Sequence, residues 1–337
     1  MRKLASIQQI KELSPIEGAD KIEVASVLGW KIVVKKDEFK VGDKVVYCEI
    51  DSLLPDKPAF EFLKPRGMRI KTIRLRGQVS QGICFPLSIL PATFEVSEEI
   101  DCTEALEIIK YEPVLPAHLG GVAKGKFPLF IPKTDETRVQ VLQQMLTKYQ
   151  GEPCYVTEKL DGSSVTFYLR DDVFGVCSRN LELVESTDNS YWKVARALNI
   201  EEKLRSLQGN FALQGELLGE GIQGNKLKLH GQTVRFFNVY DIDKTAYLQF
   251  EQFVAFFEKL QLPTVPILFT DYPLSNDIAS LVQLATRKST LMPTAWAEGI
   301  VIRPCYAQVD YISSNTFSNG QISFKAINPE FLLNYDE

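Results

Sequence analysis

Lys159 occupies the setting in this 337-residue sequence that is best suited to chemistry. It closes a run typical of a β-strand and precedes Leu160-Asp161-Gly162, where the glycine would allow a tight turn close to a ligand. A lysine amine attacks only when it is uncharged. Because its ordinary pKa is ~10.4, desolvation or neighbouring cations must lower that value. The alternative is a plain hairpin with Lys159 in water, and these residues taken alone favour the hairpin.

Five segments further along the sequence carry residue types that suit nucleotide chemistry: an arginine beside an asparagine, two glutamates, an aromatic ring and a lysine. In chain order they are Ser178-Arg179-Asn180, Leu213-Gln214-Gly215-Glu216-Leu217, Phe237-Asn238-Val239-Tyr240-Asp241-Ile242, Glu298-Gly299-Ile300-Val301-Ile302-Arg303 and Ser323-Phe324-Lys325-Ala326. Each has an ordinary explanation, such as a surface turn, an exposed strand position or a core aromatic residue. Phosphoryl transfer needs positive charge around phosphate oxygens and an in-line nucleophile, which this set could supply together.

These segments and Glu158-Lys159-Leu160-Asp161-Gly162 resemble, in the same order, the motifs of the superfamily of ATP-dependent polynucleotide ligases and RNA capping enzymes. The resemblance implies that Lys159 is the nucleophile that accepts a nucleotide and that Lys325 contacts the α-phosphate. It implies a divalent metal ion at Glu216 and Glu298, and a purine stacked on Tyr240. The implied nucleotide-binding set is Glu158, Lys159, Leu160, Asp161, Arg179, Asn180, Glu216, Tyr240, Ile300 and Lys325.

Two positions depart from the motif pattern of that superfamily. Ser323 stands where many relatives have the first of two lysines in the last motif. Arg303 stands where many have a lysine, and an arginine keeps the charge but not the contact geometry.

The composition indicates which metal ion could bind and whether nucleic acid could be a partner. Oxygen ligands without histidine or cysteine suit Mg²⁺ or Mn²⁺ rather than zinc. The six cysteines are scattered without a C-x-x-C pair and there are two histidines, so neither a zinc site nor a disulfide framework is expected. The net charge of −5 argues mildly against general coating of nucleic acid. It still allows a local basic surface, because salt confines the field to about 10 Å.

One such surface is predicted between Lys64 and Arg76, where basic residues occur without an acid. They are Lys64, Arg66, Arg69, Lys71, Arg74 and Arg76. The interleaved Ile70, Ile73 and Leu75 indicate a strand, bulged near Thr72, with a cationic face and a core face. Arg69, Lys71, Arg74 and Arg76 are therefore candidate nucleic-acid contacts. The alternative is a solvated edge strand whose charges prevent edge-to-edge pairing, and both interpretations stay open.

The spacing of short apolar runs and turns divides the chain into two domains with a linker. Residues 1–115 are predicted as an OB-like nucleic-acid-binding module, or another small β-barrel, with strands at Ile22–Val27, Trp30–Val34, Val45–Ile50, Arg69–Leu75 and Gly82–Phe85. Residues 116–133 are rich in proline and glycine and are predicted as the linker. Residues 134–337 are predicted as an α+β domain built on antiparallel sheet.

In this second domain the first predicted element is a helix over Asp135–Gln150. The predicted strands are Val156–Leu160, Ser164–Leu169, Phe174–Ser178, Phe211–Leu217, Thr233–Tyr240, Gly299–Ile302 and Gln321–Ala326. The other predicted helices are Tyr191–Leu198, Thr245–Leu260 and Asp277–Lys288.

The order of the domains indicates which family of the superfamily this sequence resembles. Capping enzymes and DNA ligases of the superfamily carry a further OB domain after the last motif, whereas twelve residues follow Lys325 in this sequence. A barrel-like part precedes the core instead, as in the fifth family of ATP-dependent RNA ligases, which has an N-terminal OB module before a nucleotidyltransferase domain of the ATP-grasp-like DNA/RNA ligase type. The segments that carry this resemblance are Val41–Tyr47, Ile50–Pro55 and Ile131–Gln140, and the last of them contains Arg138.

This resemblance implies an ATP-dependent RNA ligase that joins a 3′-hydroxyl RNA end to a 5′-phosphate through lysyl-AMP. It implies ATP and Mg²⁺ or Mn²⁺ as cofactors, and RNA or an RNA-containing nicked duplex as partner, with Arg138 and Arg303 as further nucleic-acid contacts. A cytoplasmic location is expected, since no apolar run approaches the ~20 residues that span a bilayer. The protein is also expected to act as a monomer. A GTP-dependent capping-type transferase and a catalytically inactive RNA-binding protein stay open as alternatives.

Overall fold

The computed structural model describes residues 3–112, 117–306 and 321–335. The chain forms two compact units, Met1–Pro113 with Pro329–Glu337, and Val114–Asn328. The domain boundary expected at residues 115 and 116 lies outside the described residues. Among the described residues, no helix is both long and apolar enough to cross a membrane.

The first unit is built from short antiparallel strands around one apolar core. They are β1 (Ala5–Gln9), β2 (Glu12–Pro15), β3 (Ile22–Val27), β4 (Trp30–Lys35), β5 (Lys44–Cys48), β6 (Ser52–Leu53), β7 (Thr72–Leu75), β8 (Gln78–Gln81), β9 (Ile83–Phe85) and β10 (Ile109–Lys110). Their order in the sheets is β1-β5-β9, β2-β3-β4, β7-β8 and β10-β6. Trp30, Tyr47 and Phe60 lie in the shared core. The C-terminal helix, Pro329–Tyr335, belongs to this unit, and its Leu332 packs against the same core.

The strand predicted over Arg69–Leu75 is shorter in the structure and covers Thr72–Leu75 only. A 3₁₀ helix, Pro58–Arg66, comes before it. Gly67 and Met68 then have φ values of 61° and 62°, a left-handed turn that extended backbone cannot contain. The basic segment is therefore a helix end, a turn and a short strand, and does not present one continuous cationic face.

The second unit contains two large sheets with helices packed against them. Its strands are β11 (Ala123–Lys126), β12 (Thr137–Arg138), β13 (Pro153–Lys159), β14 (Ser163–Arg170), β15 (Val173–Cys177), β16 (Leu181–Leu183), β17 (Phe211–Gly219), β18 (Gln232–Asp241), β19 (Ala246–Tyr247), β20 (Ile267–Pro273), β21 (Gly299–Pro304) and β22 (Phe324–Ile327). Its helices are α1 (Ala117–Gly120), α2 (Gln143–Lys148), α3 (Ser190–Ala197), α4 (Ile200–Arg205), α5 (Phe250–Leu260) and α6 (Ile278–Ala285).

The seven-stranded sheet has the order β11-β16-β15-β14-β17-β18-β19, and the five-stranded sheet has the order β12-β22-β21-β13-β20. Neighbouring strands are antiparallel except β12 and β22, which are parallel. One face of the seven-stranded sheet packs against α3, α4 and α5. One face of the five-stranded sheet packs against α2 and α6. Because side chains alternate along a strand, the other residues of these strands point to the opposite faces, where the candidate site lies.

Two segments that the sequence assigns to a linker and a helix take other forms. Within residues 116–133, β11 pairs with β16, and Phe127 and Ile131 are buried against Tyr168 of the large sheet. In the predicted helix over Asp135–Gln150, residues 137 and 138 form β12 and pair with Phe324 and Lys325. The helix α2 begins only at Gln143. Pairing with a distant strand therefore prevails over the local helical spacing.

Candidate active site

Lys159 is the last residue of β13 and lies on the face opposite to the packed core of its sheet. Its Nζ is 2.7 Å from Oε2 of Glu298, the residue before β21. Strand β13 pairs with β21 so that Lys159 stands opposite Gly299, which fixes this contact through the backbone register. The two side chains are 23 % and 16 % exposed, so the amine is shielded but reachable.

Gly162 makes the turn after Lys159, and this turn lies beside Glu216 of β17. The backbone N–H of Gly162 donates to Oε1 of Glu216 at 3.0 Å. A Cβ at position 162 would lie 2.3 Å from the carbonyl oxygen of Leu217 and 3.0 Å from Cγ of Glu216. Only glycine permits this close approach to β17. The plain hairpin is the weaker interpretation because Lys159 is shielded and paired with Glu298 instead of lying in water.

The charges of three carboxylates act on the amine, and one of these carboxylates, Glu298, contacts it. Burial alone lowers the pKa of Lys159, but Glu298, Glu216 and Asp161 together raise it above its ordinary value. Burial raises the pKa of Glu216 to about 8, with Glu298 and Asp161 adding to the effect and Lys159 opposing it. Burial and Glu298 raise the pKa of Asp161 to about 6, against Lys226 and Lys159. Burial is the largest cause for both carboxyls, so the side chains present do not fully stabilise their charged forms.

A divalent cation of the Mg²⁺ or Mn²⁺ type would stabilise the charged forms of these buried carboxyls. In the parts of the chain that are described, no three acidic, histidine or cysteine side chains gather in a ready-made metal cage. An Mg²⁺ ion commonly keeps several waters and takes one or two carboxylates together with substrate phosphates. Glu216 and Glu298 are therefore a suitable pair, whereas a closed zinc site is not formed by the described residues.

The two residues that flank Lys159 have different surroundings. Glu158 is 1 % exposed and accepts hydrogen bonds from the Ser289 hydroxyl and, at 2.8 Å, from the Thr290 N–H. Leu160 is buried in a small apolar cluster against which Phe237 packs. Glu158 thus anchors the loop before β21, and Leu160 is held in an apolar cluster with Phe237 packed against it.

Tyr240 and Ile300, predicted to bind the nucleotide, are both buried in this structure. Tyr240 is 5 % exposed and packs against Tyr247 and the segment around Phe127. Ile300 is fully buried in the core under α2 and α6. Phe237 lies at a bulge in the pairing of β17 with β18 and packs against the apolar cluster that contains Leu160.

The structure brings together the basic residues of the last motif and of β12. Lys325 of β22 stands beside Arg138 of β12 in the parallel pairing and opposite Val301 of β21. By alternation, Lys325 lies on the same face as Lys159, since Phe324 and Ala326 fill the core on the other face.

Arg179 and Asn180 follow β15 on the exposed surface. Arg179 pairs with Asp135, and Asn180 accepts a hydrogen bond from Nζ of Lys133 at 2.9 Å. The pair thus contacts residues 133–135, which lie just before β12.

Arg303 was predicted to contact nucleic acid, and its burial disagrees with that role. It is 3 % exposed, and its Nη2 lies 2.9 Å from Oε1 of Glu136. Tyr155 and Tyr247 interact with the same guanidinium. Arg303 therefore ties β21 to the segment that leads into β12, and its burial leaves little of it for an external phosphate.

The predicted basic surface of the first unit is only partly exposed. Arg69 is 8 % exposed, pairs with Asp51 at 3.0 Å and lies over the ring of Tyr111. It is therefore a structural residue. Arg74 is exposed and pairs with Glu330 of the C-terminal helix. Lys71 is half-buried, and Arg76 is exposed in the turn after β7.

Comparison with known proteins agrees with this geometry. Residues 152–327, more than half of the chain, match the RNA ligase family, and residues 4–87 match an OB-fold domain family. A Naegleria gruberi RNA ligase variant solved with ATP and Mn is 39 % identical, covers 100 % of both chains and has a TM-score of 0.91. The Naegleria gruberi RNA ligase solved with PPi is 40 % identical over 98 % of each chain, with a TM-score of 0.89. No curated protein sequence matches this chain.

These matches confirm the predicted fold class, an OB-fold N-terminal domain followed by an α+β ligase domain. The matched core begins before Lys159 and ends after Lys325, so it contains every motif on which the resemblance depends. The chain belongs to the RNA ligase family.

Proposed function

We propose that this protein is an ATP-dependent RNA ligase that seals a 3′-hydroxyl RNA end to a 5′-phosphate at a nick or break. The observation that carries the proposal is the shielded Lys159 amine among Glu298, Glu216 and Asp161 at a glycine turn. The likeness to the Naegleria gruberi RNA ligase solved with ATP and Mn supports ATP as the nucleotide and Mg²⁺ or Mn²⁺ as the metal.

The proposed reaction begins at Lys159. Its Nζ loses a proton to solvent and forms a bond to the α-phosphorus of ATP, while the bond from that phosphorus to the bridging oxygen breaks and pyrophosphate leaves. The AMP then passes to the 5′-phosphate of the nucleic acid, which frees the lysine. The 3′-hydroxyl finally attacks the 5′-phosphate, and AMP is released.

The residues around Lys159 have different proposed roles in the first step. Glu298 holds the amine in place through its 2.7 Å contact, and the Phe237 and Leu160 side offers an apolar surface to a purine. Lys325 and Arg138 lie side by side on neighbouring strands and supply positive charge for phosphate oxygens. A divalent cation held by Glu216 and Glu298 would offset the negative charge that raises the pKa of Lys159.

A nucleotide-labelling and sealing assay tests the proposal. The protein is incubated with ³²P-labelled ATP or GTP and Mg²⁺ or Mn²⁺, and then with a 5′-phosphorylated nicked duplex whose 3′-hydroxyl strand is RNA. Labelling by ATP followed by sealing is expected. Labelling by GTP alone would favour the capping-type transferase, and duplex binding without any labelled protein would favour an inactive RNA-binding protein.

The exposed arginines around β7 give a separate prediction. Replacing Arg74 and Arg76 together by alanine should weaken binding of the nicked duplex and reduce the slope of log affinity against log salt by about 1 for each arginine that binds a phosphate. Formation of the labelled protein should stay nearly unchanged, because the labelling residues lie in the other unit. The ion pair of Arg74 with Glu330 is 44 % and 27 % exposed, so its removal costs little stability.

A matched control removes the same charge from the same unit. Lys36 and Lys40 are exposed, and their joint replacement by alanine should leave the salt slope unchanged. An equal loss of sealing and of labelling in the arginine variant would place these arginines in folding instead of substrate binding. Action as a monomer and a cytoplasmic location stay predictions from the sequence.

A further inference from the structure

The loop between β17 and β18 brings a second lysine into the active site. Nζ of Lys226 lies 2.7 Å from Oδ2 of Asp161, and the two side chains are 21 % and 22 % exposed. Asp161 is two residues from Lys159 in the turn of the first motif. None of the motifs recognised in the sequence contains Lys226, so the resemblance gives it no role.

The loop holds Lys226 in a defined position. Asn225 accepts a hydrogen bond from the Leu229 N–H at 3.0 Å and donates one to the Leu229 carbonyl at 2.9 Å, which closes the loop on itself. The next residue after the lysine, Leu227, is buried in one cluster with Leu160. Adjacent residues of the loop thus contact adjacent residues of the motif, and the ion pair is supported by packing.

The ion pair matters because three carboxylates compete for one amine. Glu298 already accepts from Lys159 at 2.7 Å, and Asp161 and Glu216 act on the same ammonium through their charges. A carboxylate on a short side chain that is not held can rotate toward the nearest cation. Lys226 binds Oδ2 of Asp161 and thereby restricts that rotation.

We propose that Lys226 is a positioning residue for the adenylylation of Lys159, which it serves by holding the Asp161 carboxylate away from the nucleophile. This inference rests on the proposed function. Without Lys226, Asp161 becomes a second hydrogen-bond acceptor for the Lys159 amine, and both hydrogen bonds must break before the amine reaches the α-phosphorus. Misplacement of a reacting group by about 1 Å costs up to about a hundredfold in rate.

The test measures the single-turnover rate of labelled protein formation at saturating ATP and Mg²⁺ or Mn²⁺, with the full chain. Lys226→Met should be slower than wild type by about tenfold or more, and Lys226→Arg should recover most of the rate because it can still pair with Asp161. The exposed Lys228 in the same loop provides the control, and Lys228→Met should match wild type.

A double-mutant comparison shows whether Lys226 acts through Asp161. Asp161→Asn will have its own defect, and adding Lys226→Met should not slow the reaction further. A multiplied defect in the double variant would overturn the inference, because Lys226 would then act without Asp161. A wild-type rate in Lys226→Met would overturn it as well.

Melting temperatures and the labelling of wild type distinguish a folding defect, a failure of the proposed function and a failure of the positioning role. Melting temperatures of Lys226→Met and Lys226→Gln are recorded first, and the kinetics use the variant that melts with wild type. If wild type itself forms no labelled protein, the proposed function fails. If wild type is labelled and the Lys226 variants are labelled equally fast, only the positioning role fails.

Discussion

Lys159→Ala is expected to abolish formation of the AMP-labelled protein and to reduce sealing of a 5′-phosphorylated nick by about 10⁴-fold or more, as loss of a covalent nucleophile commonly does. Another amine is not expected to take its place, because the register of β13 with β21 sets Lys159 beside Glu298. The measurement is the rate of sealing together with the amount of labelled protein after denaturation.

Two controls separate chemistry from folding in this variant. Lys193→Ala removes an exposed lysine from α3 of the same unit and should seal like wild type. A nicked strand that already carries AMP on its 5′-phosphate bypasses the lysine, so Lys159→Ala should recover part of its sealing on that substrate. Undiminished labelling of Lys159→Ala by ATP would contradict the assignment of the nucleophile.

Arg303→Met is expected to destabilise the second unit by about 3–5 kcal/mol, because it leaves Glu136 as an uncompensated buried charge. The side chains of Arg303 and Glu136 are only 4 % and 12 % exposed. For a unit of this size the destabilisation corresponds to a fall in melting temperature of about 6 °C or more. Thermal unfolding followed by circular dichroism measures it directly.

The matched variant replaces both partners by apolar residues of similar size. Arg303→Met with Glu136→Leu should recover much of the stability, since a well-packed apolar pair can substitute for a buried ion pair. A melting temperature unchanged in Arg303→Met, with weaker binding of nicked duplex, would instead support the nucleic-acid contact that the sequence predicts for this arginine.

The chemistry of the site is largely predictable from the sequence because it depends on motifs that are local in the chain. Lys159, Asp161 and Gly162 lie in one turn, and each of Glu216, Glu298 and Lys325 is recognisable from its own segment. The alternation of buried and exposed positions along each strand then determines on which side of the sheet each of these side chains lies. Strands β14 and β17 follow this rule, and the structure gives them nearly the predicted bounds.

The surroundings of Tyr240 could not be predicted from alternation alone. A bulge at Phe237 shifts the register of β18 against β17, so that Tyr240, opposite Ala212, lies on the same face of the sheet as Glu216. On that face Tyr240 is covered by the segment around Phe127, which local patterns do not predict. Of the two adjacent aromatic residues, Phe236 fills the core and Phe237 packs against the cluster that contains Leu160.

Local sequence patterns also fail to predict the role of a residue whose partner is distant in the chain. The basic residues between Lys64 and Arg76 have no acid among them, yet Asp51 pairs with Arg69 and Glu330 pairs with Arg74. Glu136 neutralises Arg303 from a segment 167 residues away. Charge in the sequence therefore predicted a surface, whereas the fold buries Arg69 in an ion pair and leaves Arg74 in an exposed one.

Peptide mapping of the AMP adduct tests the central claim most directly. The protein is incubated with ATP and Mg²⁺ or Mn²⁺, digested without acid, and examined by mass spectrometry for a peptide that carries one AMP. We expect the added mass on the peptide that contains Lys159, and fragmentation should place it on the Lys159 side chain. An adduct on another residue, or none under conditions in which the protein seals nicks, would contradict the account.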